Sequence, residues 1–188
     1  MKMLRDVSLG LLWLAVCAPF SVAADTAEMP PLPQPTAQHE QMAREAGVWD
    51  AKVSMWYEPG AEADQSTAVE TNTMLGSFWL LSKFEGQMAG DPFVGHSQTG
   101  YDPTQEKYVG TWVDSVSPYM TSMSGNYDVK THTLSMNTEC RCFMTGEMRA
   151  GRMVTKYVDN DTKVLEMYGP DEAGKEYLMM RIDYKRRK

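Results

Sequence analysis

The chain has 188 residues, of which 43% are hydrophobic and 23% are charged, and its formal net charge is −7. This length and composition suffice for one globular domain with a hydrophobic core. Because an acidic surface repels a phosphate backbone, the charge argues against a nucleic-acid partner.

The first 24 residues have the pattern of a secretory signal peptide. Lys2 and Arg5 form a basic start, and an apolar run follows over residues 9–20. Small residues then predict cleavage after Ala23 or Ala24. The apolar run is too short to span a bilayer comfortably. We therefore expect an exported protein, periplasmic or extracellular, with no integral membrane span in its mature form.

Residues 25–35 are expected to form a linker. Four prolines fall between residues 30 and 35, a composition typical of an extended polyproline spacer. Thr36 can then cap a helix over residues 36–46, and Gly47 can end it. The predicted folded domain therefore occupies residues 36–188.

Short alternating segments make up the rest of the chain. Trp49, Ala51 and Val53 alternate with polar residues, which is the period of a half-buried strand. About ten such segments and one helix predict an all-β protein, an antiparallel barrel whose strands close to protect their edges. The predicted strands lie at 49–57, 67–74, 77–86, 93–101, 107–115, 120–127, 133–140, 147–158, 163–168 and 177–184.

The order and spacing of several short motifs carry a family resemblance. The motifs are Gly100-Tyr101-Asp102-Pro103, Lys107-Tyr108-Val109, Thr111-Trp112-Val113-Asp114, Gly47-Val48-Trp49, Gly125-Asn126-Tyr127-Asp128 and Ile182-Asp183-Tyr184-Lys185-Arg186. Over residues 38–186 the chain resembles the bacterial lipocalin-like domain-of-unknown-function family 1579. The resemblance implies a lipocalin-like barrel, and it supplies no established activity, cofactor or catalytic residue.

The barrel interior is the predicted functional site. A small barrel that side chains do not fill can hold one apolar or amphipathic molecule. Trp112 and Asp114 share one face of their strand and are the candidate wall residues. His96, Arg152 and Glu166 are the further candidates, with His96 expected inside and Arg152 as a counter-charge. We expect binding without turnover, and no resident cofactor.

An enzyme is the first alternative. An inward acid, Asp114 or Glu166, beside Arg152 could act as a general acid or base if burial raised its pKa. The sequence contains no glycine-rich phosphate loop, nucleophile elbow or two-histidine metal helix.

A soft-metal or redox protein is the second alternative. Cys140 and Cys142 are two residues apart at the end of a predicted strand, where they would share a face. With Met136, Met144 and Met148 nearby, two thiolates would suit Cu(I). The simpler interpretation, which we favour, is a pair of thiols or a local disulfide without a metal.

Overall fold

The computed structural model describes residues 31–142 and 145–188. The chain divides into two units, Met1–Pro33 and Gln34–Lys188, and the second contains the helix and all the strands given below. The predicted signal peptide at 1–24 lies outside the described residues. Residues 31–35 of the predicted linker have no regular secondary structure. Within the described ranges, no helix is long and apolar enough to cross a lipid bilayer.

One helix and ten strands form the domain. The helix is α1 (Ala37–Ala43). The strands are β1 (Gly47–Met55), β2 (Asp64–Leu75), β3 (Trp79–Met88), β4 (Asp91–Asp102), β5 (Lys107–Asp114), β6 (Thr121–Asp128), β7 (Thr133–Arg141), β8 (Met148–Asp159), β9 (Thr162–Pro170) and β10 (Glu176–Arg186).

The ten strands form a closed antiparallel barrel. Each strand pairs with the next along the chain, and β10 pairs back with β1 through contacts such as Val53 opposite Ile182. Closure gives each of the ten described strands a partner on both sides, so none of them is an edge strand. The predicted all-β barrel is therefore confirmed, and each predicted strand overlaps an observed one.

The helix is shorter than predicted. It begins after Thr36, whose backbone N–H donates to Nδ1 of His39 at 3.0 Å, and it ends at Ala43. Residues 44–46 form a turn instead of continuing the helix, and the Arg186 guanidinium donates to the carbonyl oxygens of Arg44 and Ala46 there, both at 2.6 Å.

Gly47 makes the change of direction from this turn into β1 possible. Its φ is +130°, and a Cβ there would lie 2.8 Å from the guanidinium of Arg186. Only glycine adopts this backbone conformation without strain while leaving room for the arginine. The chain can therefore leave α1 and enter the barrel wall within four residues.

Alternation along the strands places the core inside the barrel. In β1, Trp49, Ala51 and Val53 are buried, whereas Asp50 and Lys52 are exposed. The helix lies against one end: Met42 belongs to the core, Tyr108 Oη donates to the carbonyl of Gln38, and Trp49 Nε1 donates to that of Glu45. That end of the barrel is therefore closed by α1 and the turn after it.

Candidate functional site

A cavity of about 320 Å³ lies inside the barrel. Side chains of all ten strands line it, together with residues of α1 and the following turn. Its volume is at the lower end of the range of ligand pockets, about 300–1,000 Å³. The barrel interior is therefore not completely filled by side chains, and a small molecule has room there.

The end of the cavity next to α1 carries a buried group of charges. Lys163, 4% exposed, donates from Nζ to Glu45 at 2.6 Å and to Glu70 at 3.1 Å. Tyr184 Oη donates to Glu70 at 2.8 Å, and Tyr157 Oη donates to Glu45. We name Glu45, Glu70 and Lys163 the ionic floor.

Mutual pairing shifts the pKa values of Glu70 and Lys163. Burial alone would raise the pKa of Glu70, but Lys163 and the donors Tyr184 and Asn72 outweigh it, so the pKa lies below its usual value. Burial would lower the pKa of Lys163, but the two carboxylates raise it above its usual value. Burial, aided by Glu70, raises the pKa of Tyr184 well above its ordinary range.

The opposite end of the cavity opens to solvent. Near α1, the inward side chains of Trp49, Tyr108 and Tyr184 are only 2–4% exposed. At the other end, inward residues such as Phe93 and Met180 are half-buried. Because exposure increases along the barrel away from α1, a ligand would enter from this open end.

Trp112 and Asp114 lie together at the open end, as their predicted common face implied. Both line the cavity, and Trp112 Nε1 donates to Asp114 Oδ2 at 2.9 Å. The indole stacks on Phe93, with ring centroids 6.4 Å apart and planes 20° apart. A Cβ at Gly95 would lie 2.1 Å from the ring, so a glycine is required beneath it. The indole is therefore held flat along the wall.

His96 does not face the interior, and the expectation that it does is wrong. Its side chain is exposed, and its cross-strand neighbour is Lys83 on the outer surface. Gly95 and Ser97, the residues on either side, belong to the inner face. Since side chains alternate strictly along a strand, His96 must point outward.

Arg152 and Glu166 also lie on the outer surface, contrary to their predicted inward orientation. Arg152 pairs with Glu176 at 2.8 Å, and Glu166 pairs with Arg181 at 3.1 Å. The inward positions of β8 and β9 are instead occupied by residues such as Met153 and Lys163. The acid–arginine combination of the enzyme hypothesis is therefore not assembled around Asp114.

The two cysteines do not share a strand face. Cys140 lies near the end of β7, whereas Cys142 follows the strand, in a turn where its carbonyl accepts from Gly146 N–H at 2.7 Å. Both are partly buried. Of the predicted neighbours, Met136 lies in the core and Met148 is 56% exposed, while Met144 is outside the described residues. Over ranges 31–142 and 145–188, no three His, Cys, Asp or Glu side chains are grouped to hold a metal ion.

Sequence reasoning missed the ionic floor, although one signal for it was present. Lys163 alternates with Leu165 and Met167 on the apolar face of a predicted strand. A lysine on such a face must either reach solvent or find a buried partner. Its partners come from positions 45 and 70, and only the closure of the barrel brings these three residues together.

A row of methionines on one wall was also missed. Five methionines on adjacent strands lie directly opposite one another and all line the cavity. This methionine row consists of Met136, Met153, Met167, Met180 and Met55. The high methionine content was visible in the sequence, but the alignment depends on strand register.

Comparison with known proteins identifies the family of this chain and a similar fold. No functionally curated protein matches the sequence. A similar solved structure is the crystal structure of Rv2717c from M. tuberculosis, with a TM-score of 0.61 and 9% sequence identity, covering 82% of this chain and 100% of that one. At this identity the likeness shows the fold alone. Residues 34–186 match the family described as "Protein of unknown function (DUF1579)", which confirms the resemblance seen in the motifs; the chain belongs to this family.

Proposed function

We propose that this protein is an exported binding protein that holds one small amphipathic molecule inside its barrel without converting it. The observation that carries the proposal is the cavity of about 320 Å³, closed by α1 at one end and reached by solvent at the other. Small barrels with unfilled interiors bind single ligands in this way.

Two unlike walls suit such a ligand. On one side the methionine row offers flexible, polarisable side chains that adapt to irregular shapes. On the other, Phe84, Phe93 and Trp112 form a rigid aromatic surface in mutual ring contact. An apolar chain or ring between these walls would bury its surface on both sides.

Polar groups at the wall support an amphipathic rather than a purely apolar ligand. Thr138 and Thr155 are 6% and 5% exposed, and both line the cavity. Their hydroxyl groups are at positions where a bound molecule can exchange a hydrogen bond with the wall. A few placed polar groups in an apolar pocket fix a ligand's orientation.

Binding is favoured over catalysis because three of the four carboxylates that line the cavity in the described residues, Glu45, Glu70 and Asp114, are already held by hydrogen-bond donors. The carboxylates of the ionic floor are held by Lys163 and by tyrosine hydroxyls. Asp114 accepts from the backbone N–H groups of Val116 and Ser117, at 3.0 and 2.9 Å. General acid–base catalysis needs a group free to exchange a proton with the substrate.

The export part of the proposal rests on residues 1–24, with their basic start, apolar run and small-residue end. N-terminal sequencing of protein expressed in its own host tests it. A mature start near Asp25 is expected. An intact Met1, or a start at Cys17, would contradict export by this signal.

Native mass spectrometry of protein purified from its own host tests the binding site. A retained small molecule is expected in the wild-type protein and much less of it in Trp112→Ala. Trp79→Ala is the matched control, because this second indole is 40% exposed and lies outside the cavity lining. Equal retention by all three proteins would show that the ligand lies elsewhere, and a wild-type protein that binds no added amphiphile would refute the proposal.

A further inference from the structure

The charged side chains around the cavity are strongly biased toward one sign. Within the described part of the chain, four carboxylates and one ammonium group line it, a formal charge of −3. These residues are Glu45, Asp64, Glu70, Asp114 and Lys163. A cavity with one sign of charge and low-dielectric walls concentrates ligands of the opposite sign.

The ionic floor contributes one uncompensated charge. Lys163 lies within hydrogen-bonding distance of Glu45 and Glu70, so two carboxylates face one ammonium group. The remaining negative charge is shared by Glu70, which is buried, and Glu45, which is partly buried, so its interactions are screened less than in water. Its field favours a cation in the cavity above, even when the ligand does not touch the floor.

A second, independent arrangement lies at the open end. Asp114 receives three hydrogen bonds, one at Oδ2 from Trp112 and two at Oδ1 from the backbone of Val116 and Ser117. A carboxylate has about four acceptor positions, which leaves one on Oδ2. The carboxylate is hydrogen-bonded to the edge of the Trp112 indole, which stacks on Phe93, and aromatic faces attract cations.

We propose that the ligand is a cationic amphiphile, an apolar chain or ring carrying a primary or secondary amine. The ammonium group binds at the open end, between the Asp114 carboxylate and the aromatic faces of Trp112 and Phe93. The apolar part extends into the barrel along the methionine row. This inference rests on the proposed binding function and adds the charge and the orientation of the ligand.

The orientation follows from the cost of desolvation. An ammonium group carried to the ionic floor would lose its water and compete with Lys163 for carboxylates that are already paired. At the open end it keeps part of its hydration and gains Asp114. Carboxylate-headed amphiphiles such as fatty acids would meet like charge at both ends and bind poorly.

Three probes of equal chain length test the proposal by isothermal titration calorimetry with the full mature protein: n-octylammonium, n-octanol and n-octanoate. We expect the amine to bind about tenfold more tightly than the alcohol, and the carboxylate more weakly than the alcohol. Asp114→Asn should remove most of the amine's advantage over octanol, because it removes the charge. Asn keeps one oxygen for the backbone donors of Val116 and Ser117 but loses the acceptor of Trp112 Nε1, so the amine-to-octanol affinity ratio in the same variant is the readout.

Asp91→Asn is the matched control. Asp91 lies at the start of β4, exposed and outside the cavity lining, so its loss removes the same charge without touching the site. An equal loss of amine affinity in both variants would show general attraction and overturn the Asp114 site. Octanol or octanoate binding as well as the amine would overturn the cation preference while leaving the binding function in place. A protein that binds none of the three would overturn both.

Discussion

The two ends of the barrel interior differ in how completely side chains fill them. Near α1 the interior is packed with Trp49, Tyr108 and Tyr184 around a paired lysine, and these side chains are almost fully buried. At the other end Trp112 and Phe93 line a wall that solvent still reaches. Stability is therefore expected to depend on the α1 end and ligand binding on the open end.

The largest expected effect is the loss of Lys163. Lys163→Met leaves Glu45 and Glu70 buried without a counter-charge, which typically costs about 3–5 kcal/mol of unfolding free energy. Urea denaturation measures this loss of unfolding free energy. Lys156→Met is the control. Lys156 is exposed on β8, and its replacement should change the unfolding free energy by less than about 0.5 kcal/mol. A small effect of Lys163→Met would mean that the ionic floor does not stabilise the α1 end.

Replacing a tryptophan by alanine at each end of the barrel should affect mainly stability at the α1 end and mainly ligand binding at the open end. Trp49→Ala removes a 2%-exposed indole that contacts Lys163 and Arg186, and it should cost about 3–5 kcal/mol. Trp112→Ala removes a half-buried indole and leaves a smaller cavity, so it should cost about 1–2 kcal/mol while reducing octylammonium affinity. Thermal unfolding and calorimetry of both variants provide the comparison. A larger stability loss for Trp112→Ala would contradict the division between the ends.

Gly95→Ala tests how firmly the Trp112 wall is held. The added Cβ would overlap the indole ring at 2.1 Å, so the ring must move away from β4. We expect a stability loss of about 1–3 kcal/mol, as for other overpacked positions, together with weaker amine binding because the ring and Asp114 separate. Chemical denaturation combined with octylammonium titration tests both effects. Unchanged affinity would show that the flat indole is not needed for binding.

The smallest expected effect concerns the pH dependence of the α1 end. The pKa of Glu70 lies below its ordinary value of 4.5, so its ionised form stabilises the fold above that value. This contribution is lost as the pH falls through the lowered pKa of the folded state. Glu70→Gln should therefore be less stable near neutral pH and lose less stability on acidification.

Urea midpoints measured from about pH 7 to about pH 3 would show the difference as a shallower slope for Glu70→Gln. Glu139→Gln, an exposed carboxylate on β7, is the control and should keep the wild-type slope. Parallel curves for Glu70→Gln and the wild-type protein would mean that Glu70 does not carry this dependence.

Local patterns predicted much of the architecture. Alternation in segments such as Trp49 to Val53 identified the strands, and Thr36 marked the start of α1. Trp112 and Asp114 were placed on a common inward face, because two residues on one clean strand always share a face. The errors at His96, Arg152 and Glu166 have one cause: a difference of one position reverses the face of a side chain.

By itself, the sequence determined the strand periodicity, the antiparallel class and the family, because these depend on local alternation, turn residues and ordered motifs. Only the tertiary structure decided which residues meet inside the barrel. Glu45, Glu70 and Lys163 are separated by up to 118 positions, and the methionine row joins β1 to β7–β10. Register and closure align such residues across strands, and no local pattern encodes that alignment, since it results from all ten pairings together.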